Sequence, residues 1–152
     1  MEEACNHRRV PIQYAKGCPQ VWLVKDGCTI GVAGLISQGE DWKMASIAEF
    51  YSAKLNSAQR NYPVHEIEML AGVETMLQYK DILQGVHFKW ITDHRGLIYL
   101  VNQKNLSRRQ ACWLEKISLF MFEVVYIARS ENVVADALLR MYSNDSERTS
   151  HG

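Results

Sequence analysis

Short apolar runs separated by polar turns occupy the first third of the chain, and the period changes at Pro63. VWLVKD (21–26) has the pattern of a buried strand, Gly27 opens a turn, and TIGVAGLISQ (29–38) reads as the returning hairpin partner. MASIAEFYSAKL (44–55) supplies a third strand, so this part predicts an antiparallel meander. Beyond Pro63, residues Met69, Leu70, Val73, Met76 and Leu77 fall on one helical face, with Pro63 suited to the first turn and Gly85 to the stop. HFKWITDH (87–94) is a further β-rich run, followed by GLIYLVN (96–102). SRRQACWLEKISLF (107–120) sets Ala111, Leu114, Ile117 and Leu119 at spacings for one or two helices. FEVVYIA alternates Phe122, Val124 and Tyr126 against Glu123, Val125 and Ile127, as a strand with two unlike faces does. A last helix is expected over roughly 132–141, with Val133, Val134, Ala137, Leu138 and Met141 as its apolar stripe.

That order predicts an α/β domain in which later strands join the first through right-handed helical crossovers. Residues 1–19, polar and holding two of the three prolines, read as a linker or the end of a preceding region. Residues 20–142 form the domain, and the small polar tail 143–152 lacks the apolar area to order itself. In such a sheet functional groups gather beyond the carboxyl ends of parallel strands, where Asp26 and Asp93 each fall.

At 152 residues the chain suits one well-buried domain. Seventeen acidic residues balance seventeen basic ones, so no whole-surface field draws nucleic acid and any polynucleotide contact is local. Cys5, Cys18, Cys28 and Cys112 show neither CxxC pairing nor histidines at metal spacing, which argues for reduced, intracellular thiols. The N-terminus lacks the apolar core of a signal peptide and no run approaches a membrane span, so a soluble protein that is not secreted is expected.

The candidate chemistry lies in four separated acids: Asp26 in WLVKDG, Glu68 in HEIEMLA, Asp93 in WITDH and Asp136 in ENVVADALLR. Carboxylates converging on one pocket repel each other unless a cation joins them, and Mg²⁺ takes hard oxygen ligands while leaving room for a phosphate. Each acid alone has a bland reading. An Asp after a strand is usually a turn former, and Asp136, in the first turns of a helix, gains from the helix dipole. On the long helix, periodicity leaves both Glu66 and Glu68 open. His65, His87 and His94 have no partner spacing and read as structural or solvent-facing. Ser37, Ser52 and Ser118 lack a nucleophile-elbow setting, and GVAG lacks the Lys of a phosphate loop. Lys104, Arg108 and Arg109 are candidates for phosphate contact, although a solvated helix start explains them about as well.

Three blocks, FYSAKLNSAQRNYPVHEIEMLA, FKWITDHRGLIYLVNQKNLSRRQACWLEKI and FEVVYIARSENVVADALLR, resemble the RNase H domain of gypsy-type LTR-retrotransposon polyproteins. The resemblance runs from about Val21 to Tyr142 and implies an RNase H-like fold, a five-stranded mixed sheet with helices on both faces. It places metal ligands on Asp26, Glu68, Asp93 and Asp136, choosing Glu68 over Glu66. It further implies two Mg²⁺ ions, with Mn²⁺ as substitute, cutting the RNA strand of an RNA–DNA hybrid; one ion activates the attacking water and the other stabilises the leaving 3′ oxygen. Implied partners are that hybrid and the reverse transcriptase and integrase regions of a parent polyprotein, in the cytoplasm, a virus-like particle or the nucleus.

Departures from the family pattern are Lys25, Gly27, Arg109, Met121, Arg129 and Leu139. Strand alternation predicts that Lys25 points away from the pocket, and Arg129 in place of Gly would strain a left-handed turn. No polymerase motif is present. Two other readings compete: a non-catalytic remnant serving as a structural or hybrid-binding module, and, less well matched by the order of acids, a resolvase- or integrase-like nuclease.

Overall fold

A computed structural model describes residues 9–93, 106–128, 130, 131, 135 and 137–140. The expected Asp136 site, the basic Lys104, Arg129, His94, Cys5, the GLIYLVN run and the tail lie outside the described residues.

Five strands form one mixed sheet in the order β3-β2-β1-β4-β5. They are β1 (Val21–Gly27), β2 (Gly31–Gln38), β3 (Ser46–Lys54), β4 (His87–Thr92) and β5 (Met121–Tyr126). The expected meander is present: β1 pairs antiparallel with β2 (Val21↔Gln38 to Gly27↔Val32), and β2 with β3 through a register shift at Ile36/Ser37. β4 lies parallel to β1, with Val21↔Phe88 to Val24↔Ile91, and β5 parallel to β4. A parallel partner requires a long connection, and helix α1 (Val64–Gln78) with the short α2 (Lys80–Leu83) supplies it. The expected single helix from Pro63 to Gly85 is therefore broken: Tyr79 leaves helical geometry at ψ 34° and its hydroxyl donates to the Phe50 carbonyl at 2.6 Å. That bond rewards the interruption by tying the helix end to β3.

The sheet is buried on both faces. Val21, Leu23, Ile36, Phe88 and Trp90 pack against α1 and against α3 (Arg108–Ile117). Trp22, Val24, Leu35, Phe50 and Ile91 pack on the other side, where Ala135 and Leu139 come from a helical segment. Helices thus cover both faces. Along α1 the buried set is wider than one stripe, adding Ile67, Ala71, Gly72 and Thr75, while Leu77 is exposed.

Two helix phases differ from expectation. On α3 the buried residues are Gln110, Trp113 and Ile117, whereas Ala111 and Leu119 are exposed. On the last helix Ala135 and Leu139 are buried and Ala137 is exposed. Large rings decide the first case: Trp113 lies 6.1 Å from the Tyr62 ring and takes the inward position that Ala111 could not fill. Leu139, where the family often has Ser, fills an apolar site at 3% exposure.

Residues 9–19 carry no regular element, as a linker would, yet they pack on the domain. Ile12 joins the core, Val10 donates to the Ile47 carbonyl at 2.8 Å, and Tyr14 donates its hydroxyl to the Ile82 carbonyl at 3.0 Å.

Candidate active site at the carboxyl ends of β1 and β4

Parallel pairing of β1 with β4 is recorded up to Val24↔Ile91, and Asp26 and Asp93 each stand two residues further along. Paired positions in a parallel sheet share a face, so both aspartates follow Val24 and Ile91 onto the face opposite α1. Asp26 is exposed and Asp93 half-buried, each at a strand's carboxyl end.

Glu68 reaches this end from the other side. Helix α1 crosses β1 so closely at Gly27 that a Cβ there would stand 2.8 Å from the Ile67 carbonyl oxygen and 2.9 Å from Ile67 Cγ2. Glycine removes that clash and brings the backbone of Ile67 and Glu68 beside the residue that follows Asp26. Glu66, two positions earlier, points elsewhere. It is 6% exposed and accepts from Arg109 Nη1 at 2.5 Å and Gln110 Nε2 at 3.1 Å, an α1–α3 clasp remote in role from the strand ends.

Lys25 takes the face that strand alternation predicts, and there it meets Glu68. Alternation does place it on the face opposite Asp26, with Val21 and Leu23, but that is the face from which α1 delivers Glu68. Lys25 Nζ lies 3.5 Å from Glu68 Oε2, with the side chains 3% and 21% exposed. The ammonium therefore stands beside Glu68, on the sheet face away from Asp26. The sequence held a signal for this: a lysine at the core-facing period of a strand needs a buried partner.

Among the described residues, no group of three or more His, Cys, Asp or Glu side chains stands close enough to hold an ion. The donor chemistry of Asp26, Asp93 and Glu68 nevertheless suits a hard divalent cation, since all three offer carboxylate oxygen. Glu68 has a positive neighbour in Lys25.

On the Asp26 face, β1, β2 and β3 align Asp26↔Ala33 and Ala33↔Ser52. These small neighbours leave a cleft of about 470 Å³ that also reaches Lys54 and Cys28. The sequence raised Ser52 only as a serine without a nucleophile-elbow setting and did not single out Lys54, because their place in this cleft depends on cross-strand register. Of the expected basic cluster, Arg108 is exposed at the start of α3. Arg109 is engaged within the protein: its guanidinium sits 3.7 Å from the Tyr62 ring centroid and is held above its ordinary pKa, first by the hydrogen bond to Glu66. His87 is exposed, 3.9 Å from Glu123, and Ser118 donates to the Glu115 carbonyl. Cys18, Cys28 and Cys112 are free thiols, and no described helix is long and apolar enough to cross a membrane.

A profile of the RNase H-like domain found in reverse transcriptase matches residues 19–120. The chain is 33% identical over 126 residues to the Transposon Tf2-3 polyprotein of Schizosaccharomyces pombe, covering 80% of this chain and 10% of that protein. The Tf2-4 polyprotein of the same organism matches to the same extent, so the chain spans about a tenth of these relatives' length. In fold it resembles the foamy viral protease-reverse transcriptase solved in complex with dsDNA (TM-score 0.61, 13% identity, 84% of this chain and 27% of that one). It also resembles RNase H1 from the halophilic archaeon Halobacterium salinarum NRC-1 (TM-score 0.53, 14% identity, 85% and 99% covered).

Proposed function

Because the chain belongs to the RNase H-like domains found in reverse transcriptases, we propose that it is a divalent-metal-dependent nuclease cutting the RNA strand of RNA–DNA hybrids. The observation that carries this reading is the placement of Asp26 and Asp93 at the ends of adjacent parallel strands, on one face.

In this reading Asp26, Glu68 and Asp93, with Asp136 as a fourth ligand, hold two Mg²⁺ or Mn²⁺ ions. The ions supply positive charge at the scissile phosphate. The protein's own contribution is positioning. Rigid strand ends fix Asp26 and Asp93, and the close crossing at Gly27 fixes the height of Glu68 along β1. The shallow cleft beside Asp26 admits a sugar–phosphate strand over Ala33 and Ser52, with Lys54 offering a cation to the backbone. No base-reading element is needed, because a hybrid is recognised by groove shape and ribose 2′-OH groups. The working context is an intracellular polyprotein with reverse transcriptase and integrase regions.

Purified protein with Mg²⁺ is expected to cut RNA in a hybrid while sparing single-stranded RNA and duplex DNA, and Asp26→Asn or Asp93→Asn to remove cleavage. Undiminished cutting by both variants would sink the assignment. A second reading, a hybrid-binding module without turnover, is favoured by one observation, the lysine already paired with Glu68. Hybrid bound tightly and left intact in Mg²⁺ and in Mn²⁺ selects it.

A further inference from the structure

We propose that Lys54 holds one phosphate of the strand being cut, about two nucleotides from the phosphate beside Asp26, and thereby sets the register in which the hybrid is seated. The inference rests on the reading of the cleft beside Asp26 as the path of that strand, and it makes no use of a metal ion.

Strand register carries the placement. Asp26 pairs with Ala33 and Ala33 with Ser52, so these three residues form one row across β1, β2 and β3. Lys54 stands two residues beyond Ser52 on β3, and alternation returns its side chain to the same face. Two strand spacings across the sheet and two residues along it put the Lys54 backbone about 12 Å from that of Asp26, roughly two steps of a sugar–phosphate backbone.

The floor between the two charges is low and neutral. Gly31 pairs with Lys54 and has no side chain, and a Cβ there would stand 2.9 Å from the Ala53 carbonyl oxygen. Ala33 and Ser52 add only short side chains, and Asp26 and Lys54 are the charged residues among those described as lining the cleft. Such a floor admits sugars, while phosphates meet the charges at its ends.

Lys54 is exposed, and among the described residues it makes no ion pair, whereas Arg9, Lys43 and Arg109 are taken by Glu49, Glu131 and Glu66. Its ammonium is therefore not committed to a carboxylate of the described fold. The root of its side chain is fixed, because the next residue, Leu55, donates to the Ile30 carbonyl at 3.0 Å and ties the end of β3 to the β1–β2 turn. A cation on a rigid strand end, at a set distance from Asp26, favours one phosphate over its neighbours.

The test is hybrid binding by the full chain, with a chelator present, over a series of salt concentrations. Losing one phosphate contact reduces the slope of log K against log[salt] by about 0.7–0.9. Lys54→Met is expected to show that reduction and Lys54→Arg to keep the slope of the unaltered protein. Lys80→Met, at an exposed lysine on α2 ahead of the amino end of β4, is expected to keep it too. A merely structural lysine would weaken binding without changing the slope. An unchanged slope in Lys54→Met overturns the inference, as does an equal reduction in Lys80→Met.

The particular phosphate is read by moving a single uncharged methylphosphonate along the RNA strand of a hybrid. About two nucleotides to one side of a cut it is expected to suppress that cut by the unaltered protein and to make no difference to Lys54→Met. Equal suppression in both proteins overturns the assignment. The two proposals fail separately. A reduced slope in Lys54→Met with no cleavage of any hybrid removes only the nuclease reading. Asp26-dependent cleavage with an unchanged slope in Lys54→Met removes only the role of Lys54.

Discussion

Glu66 accepts a hydrogen bond from Arg109 at 2.5 Å, and this pair joins the first turn of α1 to the first turn of α3. Gln110 adds a second donor to the same carboxylate, and its own position is set by a reciprocal capping box with Ser107. A buried acid two residues from a proposed ligand thus has a purely architectural task.

Glu66→Ala should leave Gln110 without its buried acceptor, at a cost of about 2 kcal/mol. A fall in the urea midpoint at unchanged slope checks this.

Gly72 faces the Trp90 indole so closely that a Cβ would stand 2.0 Å from Trp90 Cζ2, and Trp90 is fully buried. Gly72→Ala is therefore expected to destabilise by about 1–3 kcal/mol through overpacking, despite the better helix propensity of alanine. A neutral or stabilised variant in thermal denaturation would show that the indole can shift.

Ile12 tests whether the irregular N-terminal segment belongs to the fold. It is 9% exposed within the main core. Ile12→Ala should lower stability by about 2 kcal/mol, whereas a linker residue would show no change in the denaturation midpoint.

Tyr51 donates to Glu74 Oε2 at 2.6 Å, and its phenol is pushed above the usual 10.0, first by burial, then by the bond and charge of Glu74, and also by Tyr79. A folded-state value above the unfolded one means that the neutral phenol stabilises the fold. This contribution is complete below about pH 10 and is lost as pH rises towards the folded value. Unfolding midpoints of the unaltered protein should thus fall more steeply above pH ~10 than those of Tyr51→Phe. Parallel curves would refute the linkage.

Metal should stabilise the fold if the strand-end acids share it. At a hundredfold excess over the dissociation constant, a ligand bound by the native state adds about 2.7 kcal/mol. A rise in melting temperature with Mg²⁺ that a chelator reverses, and that Asp93→Asn abolishes, is the expected pattern.

Much of this domain was legible along the chain because burial patterns are local. The apolar run of VWLVKD and the alternation in FEVVYIA, with the change of period at Pro63, determine which stretches are strands and which are helix. The carboxyl-end placement of Asp26 and Asp93 follows from the same runs. Strand register and helix phase are different in kind, because they depend on surfaces supplied from elsewhere in the chain. Periodicity left Glu66 and Glu68 equivalent; their surroundings differ because Arg109 and Gln110 close over one and Lys25 meets the other. The Lys25 side chain obeyed its alternation, yet its partner was invisible until α1 was laid across β1 at Gly27. A linear sequence determines which face a side chain takes on its own element, while only tertiary packing decides what charge waits there.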